Sequence, residues 1–389
     1  MSLALLAVLT SCPPGHAAAQ GVDTTLPLFP LRQIWSVTLP GAPSFPLAIE
    51  GDSGYVALGA GQLSKISLVN GHVDWTVVQR VTRRPVADAA GPYVVDDASL
   101  VALDVTTGGQ RWSRPLDGTV SVDLLTRSGW IFVVLDGTRL VALRASTGEP
   151  VWERRLPAAA TARAGLSGDR LYLALEDSQI VAVGIADGAT LWTTRLGGVP
   201  QEPTPLGTRL YAGADDNFFY CLDEGNGRIL WEWRTGGDIV GAPAADEDHL
   251  YFAALDNVLR ALARGSGNLQ WTRGLPTRPS AGPLRVGPTL LMSGLAPELF
   301  AVSTETGEPV GRHTVPVDLL VGPAALVERA LPDGNLLVFL STEGRLLALQ
   351  AWIGLGAEPL VTVPGEALEL LPADAFAVDR PLPETTGVP

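Results

Sequence analysis

The chain has 389 residues, of which 46% are hydrophobic and 17% charged, and its formal net charge at pH 7 is −14. Nucleic acids and anionic membrane surfaces repel a protein this acidic, so both are excluded as electrostatic partners. Two cysteines, Cys12 and Cys221, make no disulfide framework, and a hydrophobic core must therefore provide the stability.

The first twenty residues predict an export signal. Residues 3–9 form an apolar run that is too short to span a bilayer, and Leu-Thr-Ser-Cys, the form of a bacterial lipobox, ends at Cys12. We expect lipidation of Cys12, with residues 21–30 as a tether. Cleavage after Ala19 is the alternative, and the lack of basic residues before the apolar run leaves the true start codon open.

A repeat of 37 to 40 residues organises the rest of the chain. Its clearest copy, residues 140–152, reads LVALRASTGEPVW: an apolar run, a Thr-Gly turn and a tryptophan four residues after the glycine. The equivalent turn glycines are Gly71, Gly108, Gly148, Gly188, Gly227, Gly267 and Gly307. A fixed period near forty indicates a repeat architecture.

Each repeat predicts four short strands. The apolar run and the tryptophan segment flank a Gly-containing turn, as in a β-hairpin. Segments such as residues 209–214, RLYAGA, supply a further strand, and turn signals recur every eight to twelve residues. We therefore predict an all-β, eight-bladed β-propeller of four-stranded antiparallel blades over residues 31–364. A single monomeric ring is expected, with residues 365–389 as a Pro-rich acidic tail.

Ring closure is indicated by an incomplete unit at each end. Trp35 precedes Trp75 by 40 residues but has no apolar run before it, whereas residues 346–349 begin a unit that lacks its tryptophan. We predict that the N-terminal strand completes the eighth blade, which removes the open edge. Residues 358–363, EPLVTV, are the alternative closing strand.

The repeated tryptophans are predicted to dock neighbouring strands. A small residue in each apolar run leaves space for an indole, and Cys221 occupies this position in its repeat as an inert, buried thiol. The predicted docking residues are Trp35, Trp75, Trp112, Trp152, Trp192, Trp231 and Trp271. Gly311 replaces the tryptophan of the seventh unit, and we expect it to tolerate substitution far better than Trp152 or Trp192 does if its φ is negative.

The motif Ala-Leu-x-x-x-Thr-Gly-x-x-x-Trp, repeated around a ring, resembles the tryptophan-docking motif of the quinoprotein, or PQQ-like, propellers. With a lipobox and little beyond one propeller, the chain more narrowly resembles the BamB family of outer-membrane assembly lipoproteins. This resemblance implies a non-enzymatic scaffold in the cell envelope, on the periplasmic face of the outer membrane and held to it by the lipid anchor. Its partners would be other envelope proteins, such as the outer-membrane assembly protein of the BamA type.

The residues of the chain argue against an enzyme. The quinoprotein dehydrogenases that the motif resembles carry an adjacent cysteine pair and a carboxylate–amide calcium site, and this chain has no adjacent cysteines. His72, His249 and His313 lack the spacing of metal ligands. We expect no catalytic, cofactor-binding or metal-binding residues. The alternatives are a small-ligand or quinone-binding propeller of a periplasmic redox system, and a propeller attached to envelope polysaccharide or surface-layer machinery.

One face of the ring is the predicted partner surface. Blade-to-blade loops and the turns between second and third strands emerge together, opposite the Thr-Gly hairpins. The candidate contacts on that face are Arg83, Arg84, Asp215, Asp216, Asp256 and Arg278. Each aspartate alone could also be present only because Asp favours tight turns. Each arginine alone could also be a charge exposed to solvent with no partner.

Overall fold

The structure, a computed structural model, describes residues 28–294, 296–317, 319–327 and 335–351. That part of the chain forms thirty-two strands, arranged as eight four-stranded antiparallel sheets. The predicted eight-bladed all-β propeller is thereby confirmed. Within these ranges, no helix is long and apolar enough to cross a membrane.

Strands are numbered in chain order, so blade 1 is β2–β5 and blade 7 is β26–β29. The closing blade contains β30, β31, β32 and β1. First strands are β2 (Ala48–Glu50), β6 (Val86–Asp88), β10 (Leu125–Arg127), β14 (Gly165–Ser167), β18 (Thr204–Leu206), β22 (Ile239–Ala245), β26 (Leu284–Val286) and β30 (Ala325–Val327). Second strands are β3 (Ser53–Leu58), β7 (Gly91–Asp96), β11 (Trp130–Leu135), β15 (Arg170–Ala174), β19 (Arg209–Gly213), β23 (His249–Ala254), β27 (Thr289–Ser293) and β31 (Leu336–Leu340). Third strands are β4 (Gln62–Ser67), β8 (Ser99–Leu103), β12 (Arg139–Arg144), β16 (Gln179–Gly184), β20 (Phe218–Asp223), β24 (Val258–Ala263), β28 (Glu298–Ser303) and β32 (Arg345–Ala351). Fourth strands are β5 (Val73–Val78), β9 (Gln110–Pro115), β13 (Pro150–Arg155), β17 (Thr190–Arg195), β21 (Ile229–Arg234), β25 (Leu269–Gly274), β29 (Pro309–Thr314) and β1 (Leu31–Thr38).

The first strands lie innermost, since those of neighbouring blades contact one another around the central channel. The second and third strands are almost wholly buried because apolar residues point to both faces of each blade. Neighbouring blades enclose a hydrophobic core at each of the eight junctions. Stability therefore resides in the contacts between blades as well as within them.

The N-terminal strand closes the ring. β1 runs antiparallel to β32, with Leu31 opposite Ala351 and Thr38 opposite Arg345. Leu28, in the segment that we expected to be a tether, is buried in the core between blade 7 and the closing blade. The alternative closing strand, residues 358–363, the predicted tail and the predicted signal with Cys12 lie outside the described residues.

A tryptophan joins the blades at seven of the eight junctions. Trp152 lies opposite Ala142 in its own blade, and a Cβ added to Gly188 of the next blade would lie 2.7 Å from its indole Cε3. Gly188 has a φ of +69°, so both the turn and the indole require glycine there. In every case the indole Nε1 donates to a backbone carbonyl of the next blade, at 2.8–3.2 Å. The pairs are Trp35 with Leu68, Trp75 with Val105, Trp112 with Ala145, Trp152 with Ile185, Trp192 with Glu224, Trp231 with Arg264 and Trp271 with Thr304.

The junction between blade 7 and the closing blade is built differently. Gly311 stands opposite Ala301, in the tryptophan position, and the ring of Phe29 covers it. The backbone of Gly311 lies outside the left-handed region, but a Cβ there would be 2.7 Å from Cγ of Phe29. Phe29 fills the space that the missing indole leaves, so a substitution at Gly311 requires the Phe29 ring to move.

Candidate functional site

Blade-to-blade loops and the turns between second and third strands form one end of the ring, which we call the loop face. Each loop extends its first strand beside the end of the second, as the bridges Val120–Leu135 and Ala160–Leu175 show. The Thr-Gly turns join third to fourth strands at the opposite end, the hairpin face. The predicted partner residues therefore belong to the loop face.

Most of those residues use their charge to hold the loop face in shape. Arg83 donates from Nε and Nη2 to the carbonyl of Val120, at 3.2 and 2.8 Å. Asp215 accepts from the Val199 amide at 2.7 Å, and Asp216 accepts from the Tyr220 hydroxyl at 2.6 Å. These contacts make Arg83, Asp215 and Asp216 structural groups of the loops.

The remaining candidates differ among themselves. Asp256 is paired with Arg260 of the same blade at 2.5 Å. Arg278 is exposed, with no hydrogen bond or ion pair to any part of the chain that the structure describes. The turns themselves favour Asp and Asn, because Asp97 and Asn257 have φ angles of +48° and +61°. Of the six predicted residues, Arg278 is thus the one whose side chain has no hydrogen bond or ion pair among the described residues.

Arg84 belongs to a separate arrangement at the mouth of the central channel. Blades 2, 3, 4 and 5 each have a charged residue two positions before the first strand. We call these four residues the charged half-ring: Arg84, Asp123, Arg163 and Glu202, in blade order. The strand register puts small or apolar residues at the same position of the other blades. They are Pro46, Ala242, Gly282 and Pro323.

The two halves of the mouth differ in how they are filled. Between blades 6 and 7 the backbones touch, since a Cβ on Gly282 would lie 1.9 Å from the carbonyl oxygen of Ala242. Beside the charged half-ring is a cavity of about 240 Å³, whose polar lining includes Glu50, Arg84, Asp123, Thr126 and Arg163. The cavity that Arg84, Asp123 and Arg163 line therefore lies on the charged side of the mouth.

Charges in the half-ring influence one another without close pairing. Nη1 of Arg163 lies 3.7 Å from Oε1 of Glu202, and Nη2 of Arg84 donates to the Leu47 carbonyl at 3.0 Å. Burial lowers the pKa of Arg84, and the positive charge of Arg163 lowers it further. Burial also raises the pKa of Glu202, against the opposing effect of Arg163 and Arg84. All four side chains, from four different blades, thus share one electrostatic environment.

Comparison with known proteins identifies the family. The family model described as outer membrane protein assembly factor BamB matches three overlapping segments, residues 32–125, 96–206 and 177–352. The chain belongs to the BamB family. Among proteins with curated descriptions, none matches the sequence.

Solved structures share the fold of this BamB-family chain at low identity. BamB from Moraxella catarrhalis is 18% identical with a TM-score of 0.66, over 82% of this chain and 99% of that one. A quinohemoprotein alcohol dehydrogenase from Pseudomonas putida HK5 is 12% identical with a TM-score of 0.63, over 89% of this chain and 80% of that one. Sqt1 from Saccharomyces cerevisiae is 9% identical with a TM-score of 0.70, over 81% of this chain and 98% of that one. Identities this low show the fold alone.

The quinone site of the dehydrogenases does not fit this BamB-family chain. The adjacent cysteine pair that the resemblance calls for is missing, because Cys12 and Cys221 are far apart in sequence. Cys221 is buried in the small-residue position opposite Trp231, and burial raises the pKa of its thiol. In the described ranges, no group of three or more His, Cys, Asp and Glu residues could hold a metal ion.

Of the half-ring, only Arg84 is among the six predicted partner residues, and Asp123, Arg163 and Glu202 are not. A signal for them exists, because Arg84, Asp123, Arg163 and Glu202 follow one another at steps of 39, 40 and 39 residues. Aligning the repeats on the position before the first strand, rather than on the Thr-Gly turn, exposes the alternation of charge. The turn motif alone could not reveal it, since the turns lie on the hairpin face.

Proposed function

We propose that this BamB-family protein is a non-enzymatic scaffold of outer-membrane protein assembly, and that it binds another envelope protein through its loop face. The observation that carries the proposal is the family match, which runs through every blade from residue 32 to residue 352. The name of the matched family, outer membrane protein assembly factor, supplies the process. A protein of the BamA type is the partner that this process implies.

The construction of the loop face supports a binding role. A closed ring with a core at every junction gives the loops a rigid base, and loops on a rigid scaffold commonly carry binding residues. Side chains such as Arg83 and Asp216 fix the loop backbones, so the face needs little ordering when a partner arrives. Arg278 then offers an exposed charge on a fixed support.

Anchoring at the membrane is part of the same proposal. The lipobox at Cys12 supports an exported lipoprotein held at the periplasmic face of the outer membrane. Metabolic labelling with a radioactive fatty acid tests this, with Cys12→Ala as the matched control. We expect label in the native protein and none in the variant; an unlabelled native protein would rule out the lipid anchor.

Partner capture is tested by co-purification from detergent-solubilised membranes of the native host. We expect a β-barrel assembly protein of the BamA type to be recovered and identified by mass spectrometry. Arg278→Glu should weaken its recovery several-fold at unchanged melting temperature, because charges at the edge of an interface act mainly on the rate of association. Arg228→Glu, an exposed arginine on the hairpin face, is the control and should leave recovery unchanged.

The results that contradict the scaffold proposal are equally concrete. Recovery that falls with Arg228→Glu but not with Arg278→Glu would assign binding to the hairpin face. Absence of any BamA-type protein from the purified material would remove the proposed process. Quinone-dependent dye reduction by the purified protein would favour the redox alternative. That alternative is supported by the fold that this chain shares with the quinohemoprotein alcohol dehydrogenase.

A further inference from the structure

The charged half-ring leaves hydrogen-bonding groups unsatisfied. Its single ion pair, between Arg163 and Glu202, is 3.7 Å long and so exceeds hydrogen-bond length. Nε of Arg163 is buried without an acceptor in the described structure. The Asp123 carboxylate likewise accepts no hydrogen bond there, although its charge acts on Arg84. Native proteins rarely leave buried donors unpaired, so water or a small ligand is expected to supply the acceptor for this donor.

The cavity limits the size of that occupant. Its volume of about 240 Å³ equals the volume that roughly eight molecules occupy in liquid water, at about 30 Å³ each. Sites for drug-sized ligands usually begin near 300 Å³, so a ligand here has only a few heavy atoms. The cavity is also restricted to blades 1–4, because the loops of blades 6 and 7 are in backbone contact.

The order of charges limits its chemistry. Asp123 belongs to blade 3, between the blades that carry Arg84 and Arg163, and all three side chains line the cavity. A ligand that carries only negative charge would face Asp123 and Glu50 at close range, and a cation would face both arginines. Arginine binds carboxylates through two parallel N–H donors, and an aspartate accepts from an ammonium group. A molecule with both groups a few bonds apart matches the site.

We propose that the channel mouth binds a compact zwitterion of the α-amino acid class. Its carboxylate is held by Arg84 and Arg163, and its ammonium group by Asp123. Glu202, outside the cavity lining, contacts Arg163 from blade 5 at 3.7 Å. This site is distinct from the partner-binding role of the loop face, since Arg278 belongs to the loop of blade 7, outside the cavity lining.

Calorimetric titration of the purified full chain tests the proposal with three probes: free glycine, acetate and methylammonium. We expect saturable binding of glycine, with acetate and methylammonium at least tenfold weaker. Arg163→Gln should raise the glycine Kd at least tenfold. Asp123→Asn should raise the glycine Kd by a similar factor but leave the acetate Kd unchanged, because only the ammonium contact is lost. Arg278→Gln, away from the cavity, should leave the glycine Kd unchanged.

Several outcomes would overturn the site. Acetate binding as tight as glycine would make it a plain anion site, and a glycine Kd unaffected by Arg163→Gln would place the probe elsewhere. No saturable binding of any probe would mean that water alone fills the cavity. Melting temperatures show whether each variant is folded. Arg84→Lys is a milder variant, because it keeps the positive charge but loses the planar guanidinium group and its two parallel N–H donors. Recovery of the BamA-type partner by Arg163→Gln should remain intact, so failure here is distinguishable from failure of the scaffold proposal.

Discussion

Two kinds of blade junction hold this ring together. At seven of them an indole crosses from one blade, covers a turn glycine and donates to a carbonyl of the next blade. At the junction of blade 7 with the closing blade, Gly311 and Phe29 take the place of the indole. The eighth junction is different because the closing blade draws its third and fourth strands from opposite ends of the chain and so has no Thr-Gly hairpin between them.

This difference separates the roles of the two ends of the sequence. Six of the seven tryptophan junctions are complete within some eighty consecutive residues, whereas the closing junction needs Leu28, Phe29 and Leu31 to meet blade 7 and β32. Local substitutions therefore test the first kind, and changes at the N-terminus test the second.

Deletion of residues 28–40 should abolish the folded monomer. It removes β1, exposes the edge of β32 and opens the cores on both sides of the closing blade. Size-exclusion chromatography and thermal melts should show aggregates without a cooperative transition. Deletion of residues 365–389, which the sequence predicts to be a tail, is the control. A stable monomer after the first deletion would mean that another segment closes the ring.

Trp192→Ala should lower the free energy of unfolding by about 3–5 kcal/mol, as large core truncations do. The indole is buried, and its hydrogen bond to the Glu224 carbonyl is lost with it. Phe29→Ala, at the closing junction, should cost less, because Phe29 is only partly buried. Chemical denaturation measures both; equal losses would mean that the two kinds of junction are energetically alike.

Gly311→Ala should cost about 1–3 kcal/mol, the usual range for an overfilled core. The added Cβ meets the Phe29 ring at 2.7 Å. Combined with Phe29→Ala the substitution should cost much less than the sum of the two single changes, and a double-mutant cycle gives the coupling. Additive effects would show that Phe29 does not occupy the tryptophan position in solution.

The closing junction should also weaken at acidic pH. His313 lies two residues after Gly311, is buried, and has its pKa lowered by that burial. The unfolded chain then binds the proton more readily than the folded one, so stability is lost as pH falls below about 6.5 toward the folded pKa. Each unit of pKa depression corresponds to about 1.4 kcal/mol at most.

Melting temperatures between about pH 7.5 and pH 5.5 measure this effect. His313→Leu should flatten the fall, whereas His72→Leu, at an exposed position of blade 1, should leave it unchanged. A fall of the same size in His313→Leu would assign the acid sensitivity to other groups.

The repeat predicted the fold because each local signal agreed with the others. The Gly148 turn, the small residue Ala142 and Trp152 specify one hairpin, and forty-residue spacing then repeats the junction around the ring. Phe29 could not be predicted, because its role depends on a contact with Gly311, 282 positions further along the chain. The partner residues were harder still. A sequence shows that Asp216 lies in a turn but not that its carboxylate is occupied by Tyr220.

Closure by β1 has a consequence for how the chain folds. Leu31 must find Ala351, 320 positions further along the chain, while every other strand pairs with a close neighbour in sequence. This separation is about five doublings longer than a ten-residue turn. The entropic cost of closing the loop is therefore about 3 kcal/mol larger than for such a turn. During synthesis the N-terminal strand appears first and its partner last, so an unpaired edge persists until the whole ring has been made. A circular permutant that joins β32 to β1 and opens the chain between two other blades would convert this slow, long-range pairing into a local hairpin.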